Sequence, residues 1–313
     1  MSDFLAALRD RVLIFDGAFG TWVQDQDLGP DDFGGPDLEG CNEHVVLTRP
    51  DLIAEMHREF FDVGVDAVET ATFGSFPVVL AEYGIPEKTY ELNEAAARIA
   101  KEVASGFATP ERPRWVVGSI GPGTKLPSLG AIGFAELRDG YETQIDGLLA
   151  GGVDVLLVET VYDLLQGKAA IVAARRAMAK AGREVPLMVQ VTVELTGRML
   201  VGTEIGAALT ALEALKPDVI GLNCATGPGE MTEHLRHLSQ HARTFLSALP
   251  NAGLPSVVDG RTHYDLTPDE LAEAHDRFTS EFGVNVVGGC CGTTPEHLRR
   301  VVETIGNRAP LER

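Results

Sequence analysis

Eight short apolar runs recur along the chain, each followed by a helical stretch. They span residues 12–15, 67–70, 115–119, 154–159, 187–193, 219–222, 245–249 and 284–287. The runs are rich in β-branched residues and nearly continuous, as strands buried on both faces must be. Several helices announce their starts. Thr267-Pro268-Asp269-Glu270 is a capping box with proline at the first helical position. Thr48, Pro50 and Asp51 form a similar, weaker start, and Thr294-Pro295-Glu296 another. Strand then helix, eight times over, predicts an α/β chain folded as a (β/α)8 barrel. With 313 residues and 44% hydrophobic content, one core and one domain over 1–313 are expected. The competing fold is a doubly wound open sheet. No Gly-x-Gly-x-x-Gly follows the first run, and the glycines at 118, 121 and 123 have the wrong spacing for one. Three long loops remain, 24–47, 120–134 and 252–267, and the last has room for a hairpin.

Charge and cysteine usage exclude several function classes. A net charge of −20 leaves no basic face for nucleic acid. No apolar run approaches the ~20 residues needed to span a bilayer, so no membrane association is expected. The N-terminal residues carry no basic region ahead of an apolar core; they read as a first amphipathic helix rather than an export signal. Four cysteines make no disulfide framework in a chain of this size, and a reducing, cytoplasmic setting is expected.

Three of those cysteines stand at strand ends. Cys224 follows Gly221-Leu222-Asn223, and Cys290 and Cys291 follow Gly288 and Gly289. In a barrel, strand C-termini meet at one mouth, where active sites are built. Three thiolates there would leave one tetrahedral position open, the arrangement of a catalytic zinc site. Adjacent side chains of a regular strand point to opposite faces, so Cys290 and Cys291 can share an ion only where the strand breaks. Gly288, Gly289 and Gly292 are read as supplying that break. The following helix N-terminus should favour thiolate charge. The alternatives are small buried core cysteines or a vicinal disulfide.

Other polar residues share the mouth. Asp16 and Glu159 end the first and fourth strands and could act as an acid–base pair or as anchors for an amine; for Asp16 the alternative is turn capping. Glu69 to Thr72 end the second strand, Asn223 the sixth and Asn251 the seventh. Cys41 stands alone and reads as a packed structural thiol. His234, His237 and His241 share one face of the sixth helix, away from the mouth, and His297 lies in the last helix; all four read as structural or solvent-facing.

Taken together, these segments resemble the homocysteine S-methyltransferase family. The resemblance rests on Phe15-Asp16-Gly17-Ala18-Phe19-Gly20-Thr21, on Glu69-Thr70-Ala71-Thr72-Phe73-Gly74, and on residues 221–228 and 288–295. It covers essentially the whole chain. It implies zinc on Cys224, Cys290 and Cys291. It implies homocysteine bound through its amino group by Asp16 and Glu159 and through its carboxylate by backbone around Gly17 and Thr72, with Asn223 lining the pocket. The family's second strand often reads Glu-Thr-Asn-Thr-Phe, where this chain has Ala71. The loop 119–127 and Gly40-Cys41-Asn42-Glu43 are most similar to the homocysteine-binding module of the family's cobalamin-dependent methionine synthase branch. That branch implies methylcobalamin as methyl donor, carried by a cobalamin-binding module that 313 residues do not include. A small donor such as S-methylmethionine or betaine is the second enzymatic reading, and a non-catalytic zinc- or thiol-binding barrel is the third. No residue beyond the zinc site is expected to act as a catalyst. A cysteine-type thiol has a pKa of about 8.5, and zinc coordination deprotonates it without a general base.

Overall fold

In the computed structural model, which describes residues 3–258 and 261–313, eight parallel strands wrap into a barrel. They are β1 (Leu13–Ile14), β2 (Ala67–Glu69), β3 (Trp115–Ile120), β4 (Val155–Val161), β5 (Leu187–Val191), β6 (Val219–Asn223), β7 (Phe245–Leu249) and β10 (Val286–Val287). Neighbours run β1-β10-β7-β6-β5-β4-β3-β2, and a parallel bridge between Phe15 and Ala67 joins the two ends. The loop after β7 carries an antiparallel hairpin, β8 (Pro255–Val258) and β9 (Arg261–Tyr264). None of the helices among the described residues is long and apolar enough to cross a membrane.

Strand pleating sorts the side chains. Ile14, Val68, Val116, Leu156 and Ile220 pack outward against the helices. Their neighbours Leu13, Ala67, Val117, Leu157 and Val219 pack inward, as alternation along a strand requires. Phe4 and Leu8 of the helix Asp3–Asp10 join the inner cluster, and the Phe4 ring meets Trp115 edge-on at 5.7 Å. Each such buried side chain contributes about 1.5–3 kcal/mol. Two residues further along the same inward rows the chemistry changes: Ala67 is followed by Glu69, Val117 by Ser119, Leu157 by Glu159, and Gly221 by Asn223. The interior is therefore apolar below and polar at the mouth.

Some boundaries differ from the sequence expectation. The first and last barrel strands pair only over Leu13–Ile14 and Val286–Val287. Val284 and Asn285 are taken up in the connection, where Asn285 Oδ1 accepts the Leu246 N–H at 3.0 Å. β4 runs on past Glu159 to Val161, while β5 stops at Val191. The helix Pro50–Asp62 has Arg49, not Thr48, at its N-cap. Thr48 instead ends the short helix Val45–Thr48, and its hydroxyl donates to Asp32 O at 2.5 Å. Thr267 and Glu270 do form the expected capping box. Ala71 and Cys41 share an apolar cluster with Phe33, Val45, Ile53 and Leu80. Ala71 thus suits its apolar neighbours.

Candidate metal centre and pocket

The three strand-end cysteines converge. Their Sγ atoms all lie within 4.8 Å of one another, and Cys224 Sγ is 3.9 Å from Cys291 Sγ. Tetrahedral zinc with Zn–S bonds of about 2.3 Å needs sulfurs roughly 3.8 Å apart, so the spacing fits that ion. All four cysteines are free thiols. The trio divides its charge unevenly. Hydrogen bonds from Cys224 and Cys290 hold Cys291 low, at about 3. Cys290 is pushed up by its bonds to Cys224 and Cys291 and by burial. For Cys224 the Cys290 bond lowers the pKa, but the Cys291 bond and burial outweigh it, raising it to about 12. A bound cation would let all three ionise.

Backbone conformations make the convergence. Cys224 and Ala225 are both left-handed, with φ of 59° and 57°. Such geometry costs a non-glycine residue on the order of 1–3 kcal/mol and concentrates at functional sites. At the second turn only Gly292 has positive φ, at 79°. Gly289 is required for a different reason than conformational freedom: a Cβ there would collide with the Thr293 side chain. Gly17 is constrained in the same way, since its Cβ would lie 2.6 Å from Thr293 Oγ1. The turn after β1 thereby packs directly on the cysteine turn, and Thr21 Oγ1 accepts the Gly292 N–H at 3.0 Å.

Beside the thiols lies a cavity of about 230 Å³, lined by Asp16, Gly17, Glu43, Glu69, Ser119, Glu159, Asn223 and the three cysteines among others. Its carboxyl groups have no cation among the lining residues. Burial pushes Asp16 well above the usual carboxylate range, against the pull of the Glu69 amide. Burial also raises Glu69 well above that range, with the charges of Glu159 and Asp16 adding to it. Glu159 rises to about 7, through burial first; the Ser119 hydroxyl opposes the rise and the Cys291 charge increases it. Glu159 is held by Ser119 Oγ at 2.5 Å and by Asn223 Nδ2 at 3.0 Å. Asn223 Oδ1 in turn accepts the N–H of Thr160 at 2.8 Å, whose φ is 54°.

Five of the sequence-selected residues, Asp16, Gly17, Glu159, Asn223 and Cys224, therefore line one cavity together with Cys290 and Cys291. Thr72 lies one layer behind. Its hydroxyl donates to Ser119 O at 2.8 Å and its amide to Thr70 O, while Thr70 lines the cavity. Sequence reasoning placed Glu69 at the mouth without a role and missed Tyr264. Glu69 is on the inward row of β2, a signal that alternation alone carries. Tyr264, from the hairpin, had no such signal; its ring covers Gly292 and its hydroxyl reaches Cys291. The His237 and His241 rings meet at 4.5 Å, tilted by 47°, beside an exterior groove that Gly206 and Glu213 also line. His297 Nδ1 meets Thr294 Oγ1 at 2.9 Å at the last helix start, and its Nε2 meets Leu266 O.

Comparison with known proteins agrees with this geometry. The homocysteine S-methyltransferase family matches residues 13–305. The chain belongs to the homocysteine S-methyltransferase family. Within it, the chain is 53% identical over 312 residues to a methionine synthase of Mycobacterium tuberculosis (strain ATCC 25618 / H37Rv), covering 100% of this chain and 26% of that protein. A Mycobacterium leprae (strain TN) methionine synthase is 53% identical over 304 residues, covering 97% of this chain and 25% of its own length. The chain thus spans about a quarter of these relatives. The metallated form of the homocysteine methyltransferase MmuM from Escherichia coli shares the fold at a TM-score of 0.73, with 20% identity over 93% of this chain and 95% of that one.

Proposed function

We propose that this barrel binds homocysteine through a zinc ion on Cys224, Cys290 and Cys291 and methylates its sulfur to give methionine. The methyl group arrives on a corrinoid borne by another module or protein. The observation that carries the reading is the opening of a three-thiol, zinc-spaced cluster onto a small, cation-free carboxylate cavity. Bound to the three thiolates, zinc supplies one thing: it keeps the substrate sulfur deprotonated, oriented and nucleophilic at neutral pH. The remaining work belongs to the chain. Asp16 and Glu159 receive the ammonium group, Asn223 and Ser119 hold Glu159 in position, and the Asp16–Gly17 turn sets the distance between ammonium and sulfur subsites. The sulfur lone pair forms the S–CH3 bond while the carrier keeps the electron pair of the bond that breaks.

Two features favour a protein-borne donor. A cavity of about 230 Å³ has room for a small amino acid but not a corrinoid, so a corrinoid must present its methyl at the mouth. The loops beyond the mouth also expose apolar side chains. Phe73, Leu129, Leu195, Leu200, Leu254 and Val257 are six of the eight large apolar side chains exposed among the described residues, and all lie in loops that follow barrel strands. Single exposed leucines are ordinary, but six apolar side chains confined to the loops at one end of the barrel, with Phe73 lining the cavity itself, favour docking of a partner there. The curated relatives, of which this chain covers 26% and 25%, have ample further length for such a carrier.

The test is turnover with homocysteine and alternative donors. Slow transfer from free methylcobalamin, accelerated by a cobalamin-binding module, is expected. Efficient transfer from S-methylmethionine or betaine with none from methylcobalamin rejects the corrinoid donor. Zinc and homocysteine binding without any transfer supports a non-catalytic barrel instead.

A further inference from the structure

The proposed ammonium subsite holds three carboxyl groups for a substrate ammonium with a single positive charge. The third is Glu69, and it touches both of the others. Its backbone N–H donates to Asp16 Oδ1 and Oδ2, at 3.1 Å each. Its side-chain carboxyl meets that of Glu159 at hydrogen-bonding range. Two carboxyl groups can share a hydrogen bond only if one keeps its proton. Which one keeps it follows from the partners. Glu159 accepts from Ser119 Oγ on one oxygen and from Asn223 Nδ2 on the other, the environment of an anion. Glu69 Oε1 is buried and accepts no hydrogen bond from a protein N–H or hydroxyl, the environment of a neutral acid.

Building on the homocysteine reading above, we infer that Glu69 is a positioning residue for the substrate ammonium: as the neutral acid it donates its O–H to Glu159, while its amide N–H orients Asp16. One residue on β2 thereby fixes both arms of the clamp. The other ionisable groups lining the cavity are Glu43, whose Oε1 accepts the Gly74 N–H at 2.8 Å, and the three cysteines. The arrangement selects amino-acid thiols over thiols without an α-amino group, because only an ammonium can donate to and pair with the carboxyls that Glu69 aligns.

The experiment compares homocysteine with 4-mercaptobutanoate, the same thiol without its amino group, on zinc-loaded protein. In Glu69→Gln an amide N–H replaces the acid O–H, and homocysteine affinity should stay within about threefold of wild type. In Glu69→Leu the donor is lost, and homocysteine affinity should fall about tenfold or more. Zinc content and 4-mercaptobutanoate affinity should not change in either variant. An equal loss for both thiols in Glu69→Leu would make the residue merely structural and overturn the assignment. So would a Gln variant as impaired as the Leu variant, which would mean that Glu69 acts as an anion. Wild-type protein that binds neither thiol overturns the homocysteine reading itself, and this assignment with it. Wild type that binds homocysteine beside an unaffected Leu variant overturns this assignment alone.

Discussion

Asp66 and Glu69 sit three residues apart, at opposite ends of β2, and their surroundings could hardly differ more. At the barrel bottom Asp66 is fully buried and fully paired. Arg11 Nη1 and Nη2 donate to it at 2.7 and 2.9 Å, Ile14 N at 3.0 Å and Arg114 Nη1 at 3.4 Å. At the mouth Glu69 joins Asp16 and Glu159 with no lysine, arginine or histidine among the lining residues. A buried charge with its cation in place belongs to the architecture. Buried carboxyls without one keep surplus protons and await a cation from outside, which is the signature of a site. The same contrast separates the apolar inner row below from the polar one above, within single strands.

The comparison can be broken or sharpened by substitution. The largest effect is expected at the metal. Cys224→Ser should weaken zinc binding more than ~100-fold, beyond what the loss of an outer-shell partner does, while Cys41→Ser keeps its zinc. Equal retention by both variants, read by metal analysis, would sink the ligand assignment. At the bottom, Asp66→Ala strands two largely buried arginines and should cost about 3 kcal/mol in urea unfolding, with homocysteine affinity unchanged. A change in affinity without a change in stability would erase the distinction between the two ends.

Glu159→Gln should behave in the opposite way. Its KM for homocysteine should rise by about 10- to 100-fold, the worth of a charged hydrogen bond, with little loss of zinc. Its stability should not fall. Burial raises the Glu159 pKa in the fold from 4.5 to about 7. The stability of the neutral acid is therefore fully present below the lower value and lost as pH rises through the upper one. At about pH 8 the Gln variant should be more stable by about 1 kcal/mol, a fraction of the relieved strain. A variant that unfolds more easily than wild type at that pH contradicts a strained, cation-free carboxylate. The smallest effect is in pH dependence. The preference for homocysteine over 4-mercaptobutanoate should grow severalfold from about pH 6 to about pH 8 as Glu159 ionises. A flat ratio would mean that the carboxylate is already charged.

Much of this was legible beforehand, and the exceptions have physical causes. All eight barrel strands show as apolar runs because strands covered on both faces must be apolar. The cysteine trio shows because thiols are rare and strand ends converge. Glu159 stands out at the end of an apolar strand, yet Glu69 does not. Its role depends on the pleat phase of β2 and on contacts to two other strands, and neither is local in sequence. Tyr264 reaches Cys291 only through the fold of the β8–β9 hairpin. The left-handed turn at Cys224 and Ala225 breaks the usual glycine rule, so no residue type announces it. Sequence alone suggests conformational freedom at Gly289, whereas its real constraint is the approach of Thr293.

The most direct test of the central claim is zinc K-edge X-ray absorption on the zinc-loaded protein, with and without homocysteine. Three sulfur ligands at about 2.3 Å are expected without substrate. On addition of homocysteine a fourth should appear at the same distance, and Cys41→Ser should leave both spectra unchanged. A sulfur count that does not rise with homocysteine, or that begins at four, would contradict an open three-thiolate site that receives the substrate sulfur.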